Sequence, residues 1–274
     1  MNILIYLDQE KKDYHAIAFI KRLARTFPVA LTLLYIVSEG EDQEQGEAIL
    51  AQTAGQCADV AVRTLLRWGD PVGVLLSEAR REKHDLLIIQ SGGKKRANRR
   101  IESIENIISQ SIYPAVLILR GALRKVKRIL ICTGGPEGHG KVIESGADMA
   151  QALGAKATLL HVAAGAVPTM YTGLPAFEES LEDLLKTDTA VSRHLRAGAE
   201  ILDARNINGE LELRRGIPID EIVREARLGE YDLVVIGRSR IFSGWKEIFM
   251  SDITQPILNQ VAVSVLVVGE KALH

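Results

Sequence analysis

The chain has 274 residues, of which 47% are apolar and 25% charged, and its 34 basic and 35 acidic residues leave a net charge of −1. This balance gives no general electrostatic attraction to nucleic acid or to an anionic membrane, and no apolar run reaches the ~18 residues that span a bilayer. The opening residues, MNILIYLDQE, lack the basic segment of a signal peptide. Cys57 and Cys132 are too few for a disulfide framework. We therefore expect a cytoplasmic protein in which both thiols are small buried hydrophobes.

The first half of the chain alternates apolar runs with segments of helical periodicity. Continuous apolar runs, which are typical of buried parallel strands, predict strands over residues 3–7, 31–37, 62–66, 86–89 and 115–119. Apolar spacing of helical period predicts helices over residues 17–27, 48–61, 72–81 and 101–111. Residues 39–47 are acidic and contain glycine, so we expect them to form a loop.

The second half of the chain repeats the first. Ile129 stands 126 residues after Ile3, and this offset holds without a gap from the first strand through the second. The offset becomes 147 at the third helix, where Gly216 corresponds to Gly69, and 149 at the last strand. The second copy has therefore gained about 21 residues between its second and third strands and two in its fourth loop. Changes confined to loops are what a duplication shows.

This repeat predicts an α/β protein of two doubly wound, Rossmann-like domains, each with a five-stranded parallel sheet and helices on both faces. We place the domains at residues 1–121 and 126–270, with an insert at about 164–188 in the second. The fifth strands, AVLIL and SVLVV, are apolar throughout, and an apolar sheet edge requires a partner. We expect these two strands to pair in an intramolecular pseudo-twofold arrangement, and further homodimerisation stays open.

Both halves resemble the universal stress protein domain, in the tandem form that places two such domains in one chain. The resemblance covers residues 1–119 and 126–269. It rests on four pairs of segments: ILIYLD and ILICTG, LTLLYIV and ATLLHVA, GDPVGVLLSEARREKHDLLII and GIPIDEIVREARLGEYDLVVIG, and SIYPAVLIL and QVAVSVLVV. It implies the fold given above and a stress-related role.

Members of this family that bind ATP resemble one another in two features. An acidic residue ends the first strand, and the fourth strand is followed by Gly, two residues, Gly, nine residues, Gly, then Ser or Thr. Such glycines let backbone N–H groups approach phosphate oxygens, and the hydroxyl adds a donor. In the first half Asp8, Gly93 and Ser103 stand at pattern positions, but Gln90 replaces the first glycine.

The second half departs from the same pattern in other places. Gly134 replaces the acidic residue, Gly237 matches the first glycine, Arg240 replaces the second, and Ser251 stands at the hydroxyl position. An arginine there either blocks the approach of a phosphate or binds it as a cation. If the second half binds a nucleotide, the phosphate contacts would come from Arg238, Arg240, Lys246 and Ser251.

The first loop of the second half is rich in glycine. Its sequence, CTGGPEGHGKV, resembles a P-loop over Gly135 to Lys141, except that Val142 replaces the Ser or Thr that would bind Mg²⁺. One interpretation is a substitute phosphate-binding loop that uses Gly134 and Gly135. The other is a flexible connection with no ligand.

Three further features remain open. The insert at 164–188 either packs on its own domain or forms a lid or an oligomer contact. The basic run at 94–100 is either a solvated loop or an anion site. The histidines show no metal-site spacing, so we expect scattered core or surface positions for His84, His139, His161 and His194.

We expect a non-enzymatic, cytoplasmic stress-response protein that binds ATP or a related nucleotide in one domain, with the second favoured. Mg²⁺ accompanying the nucleotide is the only metal expected, and neither membrane nor nucleic acid is an expected partner. One alternative is a nucleotide-free interaction protein that recruits an unidentified protein through the insert or the basic run. The other is a weak ATPase, for which no general base or carboxylate cluster is evident.

Overall fold

The computed structural model describes residues 1–7, 14–38, 40, 42–57, 59–91, 115–120, 126–134, 140–163, 180–238 and 253–269. Its strands are β1 (Asn2–Leu7), β2 (Ala30–Val37), β3 (Ala61–Trp68), β4 (Leu86–Ser91), β5 (Ala115–Arg120), β6 (Arg128–Thr133), β7 (Lys156–Ala163), β8 (Gly209–Arg215), β9 (Leu233–Gly237) and β10 (Ser264–Val268). Its helices are α1 (Tyr14–Leu23), α2 (Gln43–Gly55), α3 (Pro71–Arg81), α4 (Gly140–Leu153), α5 (Leu181–Lys186), α6 (Ala190–Asp203), α7 (Pro218–Leu228) and α8 (Thr254–Gln260). The helix predicted at 101–111 lies outside the described residues.

The strands form one sheet in the order β3-β2-β1-β4-β5-β10-β9-β6-β7-β8. Within each half the neighbouring strands are parallel, and both halves have the same doubly wound order. At the centre β5 and β10 pair antiparallel, with Leu117 opposite Leu266. The predicted pairing of the two fifth strands is therefore confirmed, and it joins two five-stranded sheets into one.

The inner strands are buried on both faces because helices cover both faces of the sheet. In β1, for example, Ile3 and Ile5 belong to one apolar cluster and Leu4 to the cluster on the other face. The outermost strands, β3 and β8, are only partly buried and contain charged residues such as Arg63 and Glu210. Charged outer edges discourage pairing with another chain.

The start of α2 differs from the sequence prediction. The helix predicted at 48–61 is confirmed, but its bounds are wrong: α2 begins at Gln43, inside the loop predicted at 39–47, and ends at Gly55. Asp42 is the N-cap, and its side chain accepts a hydrogen bond of 3.0 Å from the Glu44 N–H. Gly46, which suggested a loop, lies where α2 approaches Tyr35: a Cβ there would be 2.6 Å from the ring. The acidic segment therefore starts a helix.

Each half contains a buried carboxylate at an equivalent position on the helix that follows its outermost strand. Glu78 in α3 accepts a hydrogen bond from Arg67 Nε at 2.8 Å, and Glu225 in α7 accepts one from Arg214 Nη2 at 2.8 Å. Glu225 also accepts a hydrogen bond from the Tyr231 hydroxyl at 3.2 Å. Since an unpaired buried charge is costly, each pair fixes its helix to the outermost strand of its half.

Two arginines connect the halves through polar contacts. The Arg120 N–H, at the end of β5, donates to Ser264 Oγ at 3.0 Å, and its guanidinium donates to the carbonyl oxygens of Leu258 and Val261 at the end of α8. The guanidinium of Arg22 donates to the Leu153 carbonyl at the end of α4. Both cations thus bind carbonyls at the negative end of a helix in the other half.

Two further predictions concern the cysteines and membrane-spanning segments. Cys57 and Cys132 are buried free thiols, as predicted, and burial raises the pKa of both. None of the helices within the described ranges is long and apolar enough to cross a membrane.

Candidate functional site

The candidate site lies at the carboxyl edge of the second half, where β6, β7 and β9 end side by side. In the sheet β6 lies between β7 and β9, so the chain leaves β6 at the switch point of its doubly wound order. Cys132 pairs with Ile236, and Thr133 pairs with His161. Crevices at such switch points are where α/β sheets bind ligands.

Three of the predicted site residues lie at this edge. Gly134 follows β6 and is exposed, while Gly237 ends the adjacent strand β9 and Arg238 follows it. The Arg238 N–H donates to the Val268 carbonyl at 2.8 Å, which extends the contact between β9 and β10 by one residue. The structure therefore places Gly134 and Gly237, which precede the first and fourth loops of the second half, at the ends of adjacent strands.

The other predicted site residues lie outside the described residues. They are Asp8, Gly93 and Ser103 in the first half, and Gly135, Arg240, Lys246 and Ser251 in the second. The basic run at 94–100 and the first part of the insert, residues 164–179, lie outside them as well.

A polar network that the sequence analysis missed lies directly beside Gly134. Thr133 Oγ1 is 2.6 Å from His194 Nε2, and His161 Nδ1 donates to the Thr133 carbonyl at 3.2 Å. Since a carbonyl only accepts hydrogen bonds, the proton of the neutral His161 ring is on Nδ1. Burial lowers the pKa of His161, and the bond to Thr133 opposes that shift. His161 is therefore a neutral donor at this edge near pH 7.

The internal repeat contains the signal that would have identified this network. At the offset of 126, Thr133 corresponds to Leu7 and His161 to Tyr35. The second half therefore has a threonine and a histidine where the first half has larger leucine and tyrosine side chains, at the ends of neighbouring strands. At the offset of 147, α6 corresponds to α2 and His194 to Glu47. His161 is a core residue and His194 is half-buried, as expected, but the two are not scattered, because both contact Thr133. Their clustering is not a metal site: among the described residues no group of three or more His, Cys, Asp or Glu could hold a metal ion.

The described end of the insert packs on its own half. Ser180 caps α5 by accepting a hydrogen bond from the Asp183 N–H at 3.1 Å. Arg196, on α6, donates to the Leu185 and Thr187 carbonyls at 2.6 and 3.0 Å. The end of the insert is therefore attached to the helix that contains His194.

Comparison with known proteins identifies the family to which this architecture belongs. A repeated, doubly wound α/β fold with a glycine-lined switch point defines a class of proteins rather than one function. The family model for the universal stress protein family matches residues 125–269, just over half of the chain. The chain belongs to the universal stress protein family, and its internal repeat makes it the tandem form. No curated protein sequence matches the chain.

Solved structures match the fold along almost the whole chain. A universal stress protein from Archaeoglobus fulgidus DSM 4304 has 13% identity and a TM-score of 0.69, covering 98% of each chain. A putative universal stress protein from Pseudomonas aeruginosa UCBPP-PA14 has 18% identity and a TM-score of 0.69, covering 98% of this chain and 92% of that one. A functionally unknown protein from Pseudomonas aeruginosa PAO1 has 17% identity and a TM-score of 0.66, with the same coverage. At these identities the likeness concerns the fold alone.

Proposed function

We propose that the chain is a non-enzymatic stress-response protein that binds ATP or a related nucleotide at the carboxyl edge of β6 and β9. The observation that supports this is the position of Gly134 and Gly237 at the ends of the adjacent strands β6 and β9, at the switch point of the half that the family model matches. A glycine at the end of each strand lets a phosphate or a ribose approach the backbone closely.

The polar network beside these glycines would contact the nucleoside. Gly134 has no carboxylate to bind a ribose, but the neighbouring Thr133 hydroxyl and the half-buried His194 ring offer hydrogen bonds in its place. Because His161 binds the Thr133 carbonyl, the backbone there is held in one orientation. The network would thus substitute for the acidic residue that the first half has at Asp8.

The phosphates would lie over the fourth loop. Arg238 begins this loop, and we propose that Arg240, Lys246 and Ser251 bind phosphates together with it, while Gly135 contributes backbone from the first loop. Guanidinium groups are strong partners for phosphate oxygens. In this arrangement cationic side chains would bind the phosphates, whereas the intact family pattern binds them through backbone N–H groups beside glycines.

We propose binding without turnover. The described residues of this edge supply a hydroxyl, two imidazoles and a guanidinium but no carboxylate, and Mg²⁺ in phosphoryl-transfer sites is usually bound through carboxylates. Any Mg²⁺ would therefore arrive with the nucleotide. Phosphate release from ATP over several hours tests this directly, since a weak ATPase would release phosphate in proportion to enzyme concentration.

Calorimetric titration with ATP and Mg²⁺ tests the proposal as a whole. We expect a dissociation constant of micromolar order, about −8 kcal/mol. Gly237→Val, which places a branched side chain at the end of β9, should weaken binding about tenfold or more, whereas Asp8→Ala in the first half should leave it unchanged. The reverse pattern would assign the site to Asp8, Gly93 and Ser103. No heat and no co-purified nucleotide would instead favour a nucleotide-free interaction protein.

A further inference from the structure

A cavity of about 320 Å³ lies at the amino ends of the strands of the first half. Because β5 and β10 are antiparallel, these ends lie at the same edge of the ten-stranded sheet as the proposed nucleotide site, but in the other half. The cavity is bounded by the amino ends of β1, β2 and β3 and by the turn after α3. Ala30 and Ala61 are among its apolar lining, and Arg63, Glu82 and Lys83 are its charged lining. This volume is at the lower end of the range for small-molecule sites.

The second half provides an internal comparison for this amino-edge cavity. The Asn2 N–H donates to Asp85 Oδ2 at 2.6 Å, and the Arg128 N–H donates to Asp232 Oδ2 at 3.1 Å. Asn2 and Arg128 therefore occupy equivalent places in the two copies, as the offset of 126 requires. The residue before each of these aspartates is also equivalent, and it is His84 in the first copy and Tyr231 in the second.

In the second copy, side chains of the protein occupy the corresponding region. The guanidinium carbon of Arg128 is 4.9 Å from the centroid of the Tyr231 ring, and Arg128 Nη2 is 4.0 Å from Glu210 Oε2. In the first copy Asn2 is too short to cover the ring position, and His84 is smaller than tyrosine. The cavity is thus the space that these two replacements leave.

The charges around the two regions are reversed. In the first copy Arg63 and Lys83 stand where the second copy has Glu210 and Glu230. Arg63 is paired with Glu82, its Nη1 being 2.7 Å from Glu82 Oε1, and Lys83 adds a second cation. Burial lowers the pKa of His84, so this ring adds no charge near pH 7. The lining of the cavity therefore has a net positive charge, beside an apolar floor.

We infer that the amino-edge cavity is a binding site for a small aromatic monocarboxylate. The ring would lie on the face of the sheet that Asn2, Ala30 and Ala61 share, in the space that Arg128 occupies in the other copy. Its carboxylate would point toward Lys83 and Arg63. An aromatic ring suits this place because, in the second copy, the planar guanidinium of Arg128 stacks on the Tyr231 ring at the equivalent position. The inference is independent of nucleotide binding, which concerns the other half of the chain.

The test is an NMR titration of the full chain with benzoate, using benzamidine as a cation of the same shape. We expect saturable shifts of the Asn2, Leu31 and His84 amide signals with benzoate, and affinity for benzamidine that is about tenfold weaker. The double variant Asn2→Arg with His84→Tyr gives the first copy the residues of the second. It should remain folded, with a melting temperature lowered by the nearby cations Arg63 and Lys83, and it should lose benzoate binding about tenfold or more because the space is filled.

A matched control is Arg128→Asn, which changes the equivalent position of the other copy. It should leave benzoate affinity unchanged, since Glu210 and Glu230 repel a carboxylate. Benzoate shifts that do not saturate, an unchanged affinity in the folded double variant, or equal affinity for benzamidine would overturn the inference.

Discussion

Thr133 Oγ1 lies 2.6 Å from His194 Nε2, although the two residues are 61 positions apart in the sequence. The same threonine accepts a hydrogen bond from His161 through its carbonyl oxygen. One residue at the end of β6 thus orients two imidazoles from different elements. This network stands beside Gly134, at the edge where we propose that a nucleotide binds.

Replacing Thr133 by valine removes the hydroxyl and keeps the shape of the side chain. We expect the free energy of unfolding to fall by about 1 kcal/mol, because one hydrogen bond is lost while the carbonyl bond to His161 remains. Urea denaturation measures this change. In a double-mutant cycle, His194→Ala should cost less in the Thr133→Val background than in wild type, and strictly additive effects would show that the two side chains do not interact.

The paired carboxylates of α3 and α7 should be important for stability. Glu78 is buried and its partner Arg67 is about one-third exposed, so Glu78→Ala should lower the free energy of unfolding by about 2–3 kcal/mol, below the range for a fully buried pair. Glu225→Ala should have a similar effect. The control is Glu82→Ala, which removes an exposed partner of Arg63 and should cost less than about 1 kcal/mol. Equal losses at Glu78 and Glu82 would contradict this ranking.

Arg120 should stabilise the contact between the halves. Its guanidinium binds two carbonyl oxygens at the end of α8, so we expect Arg120→Ala to lower the free energy of unfolding by about 2 kcal/mol. The exposed Arg25 is a suitable control, since Arg25→Ala should change stability by less than about 0.5 kcal/mol. An Arg120→Ala protein as stable as the Arg25→Ala protein would show that this contact does not matter.

Stability should depend on pH through two buried histidines. Burial lowers the pKa of both His84 and His161 below the reference value of 6.5. The folded state then binds fewer protons than the unfolded state, so this contribution is complete above about pH 6.5 and decreases as pH falls toward the folded-state pKa values. The double variant His84→Tyr with His161→Gln should flatten the curve of unfolding free energy between about pH 7 and 5. An unchanged slope would mean that other groups cause it.

The sheet could be predicted from the sequence because its strands are buried on both faces and appear as continuous apolar runs. The two fifth strands are the clearest case. Their uninterrupted apolar sequences require a partner at the sheet edge, and each strand is the partner of the other. The start of α2 was predicted wrongly because Asp42 and Gly46 are residues of loops in isolation. Only the cap bond to Glu44 and the contact with Tyr35 show that they belong to a helix.

The site was predictable only in part, for a related reason. Gly134 and Gly237 follow strands that the repeat identifies, and parallel strands bring their carboxyl ends together, so their proximity follows from the order of elements. The contact of Thr133 with His194 depends on how α6 packs against the sheet, and no local pattern encodes that. The amino-edge cavity was also missed, because it arises from the absence of side chains that only the second copy supplies.

Hydrogen–deuterium exchange with and without saturating Mg²⁺-ATP is the most direct test of nucleotide binding in the second half. We predict that ATP slows exchange in residues 133–142 and in the loop that begins at Arg238, and that residues 8–13 and 92–103 exchange at unchanged rates. Slower exchange confined to the first-half segments would place the nucleotide there. No change in either half at a concentration of ATP that saturates related nucleotide sites would contradict the proposed function.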